Sequence, residues 1–162
     1  MKTDLQDLID DCTIELNDIE GRLDNLPALD KERLYLTQYA LIKSCGTVEF
    51  VYRSIVADYF DQSSLVQIHT YIDNTVRSGS MSATYDNMNK LLKKFDSNWA
   101  NTFKNSVQSH PNAQRLISSS NSLVNNRHLF AHGKPPTATF RDIKNYYFDV
   151  LQLVNILDSI VQ

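Results

Sequence analysis

From residue 3 to residue 25 the apolar side chains return every three or four positions: Leu5, Leu8, Ile9, Cys12, Leu16, Ile19 and Leu23. At about 100° per residue they form one stripe down a helix, with acidic residues opposite. The same spacing recurs in the later segments, and no alternating, strand-like run of any length interrupts it. A chain patterned this way has to bury helical stripes against one another. Only four Gly and four Pro punctuate the 162 residues, so the breaks are few. The expected fold is all-α: a single domain over residues 1–162, built as a bundle of five or six helices.

The punctuation places those helices. Thr3 or Asp4 can cap the first, which Pro27 ends. Asp30 opens a long second helix to about Phe60. It carries apolar residues on more than one face (Leu34, Tyr39, Ile42, Val48, Phe50 and Val51 among them), as expected of the most buried helix. Gly46 in its middle costs about 1 kcal/mol against alanine, and close helix–helix approach is the expected reason. A third helix over 63–77 should turn Leu65, Ile68, Tyr71, Ile72 and Val76 inward, before the Ser78-Gly79-Ser80 break. Thr84 can cap a fourth, running to about Val107 and bent near Asp96. A fifth starts near Asn112, after His110-Pro111, and stops at Gly133. Thr139, with Asp142 at the capping-box position, opens the last, about 140–161, which should pack beside the fifth.

Cys12 and Cys45 both sit within apolar helical patterns, as small core residues of a reducing compartment do. No apolar stretch reaches membrane-spanning length, so no membrane association is expected and the location should be cytoplasmic. The formal net charge is −3, which does not suit a general nucleic-acid binder, but its distribution is uneven. Residues 1–62 hold six Lys or Arg against thirteen Asp or Glu, whereas residues 87–145 hold nine against two. The basic part of the chain suits an anionic ligand, or is a solvated face. Lys90, Lys93, Lys94 and Lys104, interleaved with Tyr85, Phe95, Trp99 and Phe103, could follow an RNA backbone and stack bases; such aromatics more commonly form core.

The basic region contains the residues with the most chemical content. Leu123 to Gly133 reads Leu-Val-Asn-Asn-Arg-His-Leu-Phe-Ala-His-Gly, with Pro135 and Pro136 beyond, the ending of a helix. Leu116, Ile117, Leu123, Val124, Phe130 and Ala131 share one stripe, and Arg127 lies in the middle of it. A guanidinium cannot lose its proton, so an inward-facing one needs an anionic partner on this chain or on a ligand. Glu49, within Val48-Glu49-Phe50-Val51-Tyr52, is one candidate; alternatively it forms an i,i+4 pair with Arg53 on an exposed edge. His132 follows Arg127 by five residues, about 140° round the helix axis.

Arg127-His128-Leu129-Phe130-Ala131-His132 resembles the active-site motif of the HEPN superfamily: Arg, four to six residues, then His, with a polar residue directly after the Arg. The Ala-His-Gly ending is similar to that of the RiboL-PSP-like branch, and the helical layout agrees along the chain. The resemblance implies a metal-independent endoribonuclease with Arg127 as phosphate clamp and His132 as proton-transfer residue. It further implies supporting contacts from His128 and Lys134, and an acidic residue in an early helix, here Glu49. Relatives of this kind dimerise so that two motifs face one cleft, which predicts a homodimer with a composite active site. They also serve in toxin–antitoxin or anti-phage systems, which predicts RNA as the substrate and a cognate antitoxin as a further partner. No cofactor is expected.

The chemistry fits those residue types. Cleavage by the neighbouring 2′-OH needs a base, charge compensation on the phosphate and an acid for the leaving oxygen. Histidine titrates near neutrality and can act as either acid or base. Arginine offers phosphate a planar fork that stays charged at all working pH values. Two rivals use the same residues. His128 and His132 are i,i+4, ordinary geometry for two metal ligands, but no third ligand is evident and Arg127 would repel a cation, so no metal is expected. A non-catalytic HEPN-like module binding protein or RNA would use Arg127 only to neutralise Glu49 or a partner's carboxylate.

Overall fold

The computed structural model describes residues 1–61 and 65–161, and every regular element among them is helical. α1 spans Thr3–Asn25, α2 Lys31–Phe60 and α3 Val66–Ile72, which runs directly into a π-helical turn, Asp73–Arg77. α4 spans Tyr85–Phe95, α5 Ser97–Ser109, α6 Ala113–Ala131 and α7 Phe140–Asp158. These are seven α-helices where five or six were expected. The difference lies at Asp96: a single bent helix was expected over 84–107. Asp96 instead adopts extended backbone (φ −148°, ψ 121°) and its carboxylate accepts from the Asn98 amide, so α4 ends and α5 is capped at one residue. Residues 63 and 64, where the third helix was expected to begin, lie outside the described residues.

α2 is the axis of the bundle. α1, α6 and α7 pack along it, and α6 and α7 pack against each other, as the sequence predicts for the last two helices. Leu5, Cys12 and Leu16 of α1, Leu41, Val48, Val51 and Val56 of α2, and Ile143, Leu153 and Leu157 of α7 are nearly or fully inaccessible. Burying each Leu, Ile or Val stabilises by roughly 1.5–3 kcal/mol relative to exposure. Between α6 and α7 one polar contact is buried: Ser119 Oγ donates to Asp149 Oδ2 at 2.7 Å, and Arg115 pairs with Oδ1 at 3.1 Å. A buried carboxylate has to be satisfied in this way.

Several local expectations need correction. Lys2, not Thr3 or Asp4, occupies the N-cap of α1, and it makes no side-chain capping bond. α2 is not buried on all faces: Tyr35, Tyr39, Ile42 and Phe50 are each at least 39 % exposed. Gly46 lies on that open face, and a Cβ there would meet nothing within 4 Å, so helix–helix approach is not its reason. Only Ile72 and Val76 of the third segment are buried, while Leu65, Ile68 and Tyr71 are exposed. A seven-residue helix running into a π turn does not hold one stripe in register. For the aromatics of α4 and α5 the core reading, the commoner of the two, is the one observed: Tyr85 stacks on Phe103 (5.6 Å), Phe95 packs on Phe60 (4.7 Å) and Trp99 on Tyr59 (4.8 Å). Phe103 is fully buried, whereas Lys90, Lys93, Lys94 and Lys104 are exposed. No helix among the described residues is long and apolar enough to cross a membrane.

Candidate active site

α6 ends as its sequence dictates. Gly133 takes φ +73°, the left-handed conformation that costs glycine least. Its amide donates to the Phe130 carbonyl (3.0 Å) and that of Lys134 to the Leu129 carbonyl (2.9 Å), the paired bonds of a Schellman ending. His132 is the last residue before the reversal. Its backbone N–H still bonds to the helix (His128 carbonyl, 3.1 Å), while its ring stands in solvent. The His128 ring, one turn back, meets it edge-on with centroids 5.0 Å apart. The two histidines, Asn125, Leu129 and Lys134 line a shallow pocket of about 380 Å3.

Arg127 leaves α6 on another side. Its Nη2 donates to Glu49 Oε1 at 2.7 Å and to Ser82 Oγ at 3.0 Å. The pair is partly buried, with the Arg127 side chain 27 % exposed and that of Glu49 19 %. Of the two readings of Glu49, its carboxylate takes the longer reach to Arg127. Arg53 binds the Glu49 main chain instead, its Nε donating to the carbonyl at 2.8 Å. Nε and Nη1 of Arg127 have no oxygen acceptor among the described residues. Beneath the pair, burial pushes the Cys45 thiol up to about 12, and its Sγ lies 3.6 Å from the Leu123 carbonyl. Burial raises Cys12 as well, so both cysteines are packing residues rather than nucleophiles.

Arg127 and Glu49 are therefore brought together, as are His128, His132 and Lys134. The two groups are not joined: no hydrogen bond links Arg127 to His132, and Arg127 does not line the histidine pocket. The angle of about 140° between positions 127 and 132 on a helix accounts for this. Among the described residues, no group of three His, Cys, Asp or Glu is placed to hold a metal ion.

Three supporting residues carry little signal in the sequence. Ser82 shares Arg127 with Glu49, and its segment is fixed by buried Tyr52, whose Oη donates to the Met81 carbonyl at 2.7 Å. Burial raises the Tyr52 phenol, which keeps it a neutral donor. Asn126, beside the arginine, is 6 % exposed and fastens the loop after Gly133. Its Oδ1 accepts from the amides of Thr137 (2.8 Å) and Ala138 (2.9 Å), and its Nδ2 donates to the Ser122 carbonyl (2.9 Å). An asparagine on the inward face of a late helix was the available clue. Ser82 and Tyr52 offered none, since their bonds span 45 and 29 residues.

Comparison with family models matches residues 6–162 to RiboL-PSP-HEPN. No curated protein and no solved structure matched the chain. The match covers α1 almost from its start and all of α2 to α7, and HEPN domains are all-α, as this one is. It points to an RNA-related function. The chain belongs to the RiboL-PSP-HEPN family.

Proposed function

We propose that the chain is a metal-independent endoribonuclease with Arg127 and His132 as its catalytic residues. The observation that carries this reading is the state of Arg127. It is held by one carboxylate through one nitrogen and is partly exposed, and its Nε and Nη1 have no oxygen acceptor among the described residues. A phosphate oxygen is the ligand such a fork accepts best. In the reaction the ribose 2′-oxygen attacks the adjacent phosphorus as His132 takes its proton. The bond from phosphorus to the 5′-oxygen then breaks, and a second imidazole returns a proton to that oxygen. The products are a 2′,3′-cyclic phosphate and a 5′-OH. Arg127 offsets the charge gathered on the phosphate oxygens. Glu49 and Ser82 are positioning residues, and His128 and Lys134 support the histidine and the backbone.

Two copies would complete such a site. Within one chain Arg127 and His132 point apart, and a homodimer would bring each group of one copy to a group of the other. The exposed stripe of Ile42, Gly46 and Phe50 offers the apolar surface, flanked by Leu8 of α1 on one side. At about 100° per residue Glu49 borders its other side, so a second copy seated there would lie beside Arg127. In the cell a toxin or anti-phage effector held by a cognate antitoxin would follow from the family.

The test is cleavage of end-labelled RNA in excess EDTA, with analysis of the product ends. Cyclic-phosphate ends from the parent, and none from His132→Ala, support the reading; no cleavage by folded protein across several RNA pools contradicts it. Titrating His132→Ala subunits into the parent tests the composite site: activity should fall faster than the fraction of parent subunits, because a mixed dimer carries only one of the two imidazoles. Full activity from a strictly monomeric protein would rule the composite site out. A non-catalytic binding module is the second reading, favoured by the Glu49–Arg127 pair, which already neutralises the arginine.

A further inference from the structure

A second cleft, of about 370 Å3, opens between α2, the π-helical turn and α4. That is within the ~300–1,000 Å3 of small-ligand sites. Buried Val76 and Leu91 give it an apolar base, half-buried Arg53 and exposed Lys94 line it, and Tyr71 stands beside them 65 % exposed. No carboxylate lines it. The acids near its walls in sequence are used elsewhere: Glu49 pairs with Arg127, Asp96 caps α5 through the Asn98 amide, and Asp58, Asp61 and Asp73 all pair with Arg77. Neither Arg53 nor Lys94 forms an ion pair among the described residues. Arg53 is oriented by its Nε bond to the Glu49 carbonyl, which leaves the two terminal nitrogens of the fork open. Gly79 is required here, because a Cβ would come within 2.5 Å of the Thr75 carbonyl oxygen and push the Ser80–Met81 wall away.

The cleft adjoins Arg127 along two lines. Glu49 and Arg53 are one turn apart on α2, about 6 Å along the axis; the first pairs with Arg127 and the second lines the cleft. Met81 lines the cleft, and the next residue, Ser82, accepts from Arg127. Unpaired cations beside an exposed aromatic ring make the arrangement that holds single-stranded nucleic acid, charge tracking the backbone and the ring stacking a base. We propose that this cleft is a subsite for a nucleotide flanking the cleaved phosphate of single-stranded RNA, with Arg53 and Lys94 on its phosphate and Tyr71 against its base. The inference rests on RNA being the substrate; it does not require that the chain cleave it.

The experiment measures binding of a fluorescein-labelled single-stranded RNA 12-mer by anisotropy in EDTA, with His132→Ala as the background. Lys94→Gln should weaken binding several-fold and lower the slope of log affinity against log salt by about 0.7 for each phosphate no longer neutralised. Tyr71→Ala should weaken binding about tenfold with the slope unchanged. Lys31→Gln, about 33 Å away along α2, should bind like the background. Arg53→Gln adds to the Lys94 effect where circular dichroism shows it folded; Lys94 and Tyr71 are exposed, and their variants decide the matter without it. Weaker binding by these variants supports the subsite even if the parent never cleaves RNA. Cleavage by the parent, with both variants binding like Lys31→Gln, overturns the subsite and leaves the nuclease standing. No binding of RNA by the folded background protein also overturns the subsite.

Discussion

Two arginines face carboxylates of α2, and they are held in opposite ways. Arg77 binds three: Nη1 to Asp58 (2.8 Å), Nη2 to Asp61 (3.1 Å) and Nε to Asp73 (2.9 Å), with Lys2 sharing the first two acids. Every nitrogen of its fork is in use, and the cluster holds more negative than positive charge. Arg127 binds one carboxylate through one nitrogen. The side chains are almost equally exposed, 23 % and 27 %, so burial does not separate them. The number of nitrogens bound to carboxylates does. A guanidinium held through all three nitrogens locks the end of α2 to the turn after α3, whereas one held through a single nitrogen keeps capacity for a further anion.

The widest gap between the two should appear in His132→Ala set against Arg77→Ala. Loss of a positioned acid or base costs about 10²–10⁴ in rate, so His132→Ala should cleave RNA at least a hundredfold more slowly at unchanged stability. Arg77→Ala should keep its cleavage rate at low temperature but lose about 2 kcal/mol in urea unfolding. Three carboxylates would then face one another, and partial exposure moderates the penalty of a broken buried pair. Glu49→Gln sharpens the comparison. It leaves Nη2 an acceptor and should slow cleavage by less than tenfold, whereas Glu49→Ala frees the guanidinium and should slow it further. Equal rates for the two variants would remove Glu49 as a positioning residue.

Asn126→Ala should cost about 1–3 kcal/mol, since it strands the amide donors of Thr137 and Ala138 beside a buried site. The loss should be visible as a lower urea midpoint at an unchanged slope. The smallest effect concerns pH. Bonds from Thr139, its hydroxyl first and its amide second, hold the Asp142 carboxyl below its usual value of 3.8. A depressed folded value stabilises above the unfolded one, so this contribution should be complete above about pH 5 and fade as pH falls through the folded value. Thr139→Ala should flatten the stability profile below about pH 4 and leave the neutral range parallel to the parent, offset by the lost cap.

How much was legible follows the range of each interaction. The helices of residues 3–25 and 140–158, the Gly133 ending and the Thr139 cap depend on neighbours within a few residues, and periodicity and capping chemistry report those directly. Arg127 was marked by its place in an apolar stripe, and Glu49 was one of two partners the pattern left open. The break at Asp96 was readable as a bend only, because an aspartate cap and a solvent-facing aspartate look alike until the backbone is seen. Ile42, Phe50 and Tyr71 were read as inward because they are apolar; their exposure depends on which helices cover α2, a fact of tertiary arrangement. Ser82 meets Arg127 through a loop crossing that no local pattern encodes.

Arg127, unlike Arg77, has nitrogens with no oxygen acceptor among the described residues, and the phosphate-binding role proposed for it turns on that difference. The direct measurement is single-turnover cleavage of one end-labelled RNA in EDTA by the parent, Arg127→Ala and Arg77→Ala, at a temperature where circular dichroism shows all three folded. Cyclic-phosphate products are expected from the parent and from Arg77→Ala at similar rates, with at least a hundredfold loss in Arg127→Ala. Equal cleavage by Arg127→Ala and the parent would contradict a phosphate-binding role for the arginine.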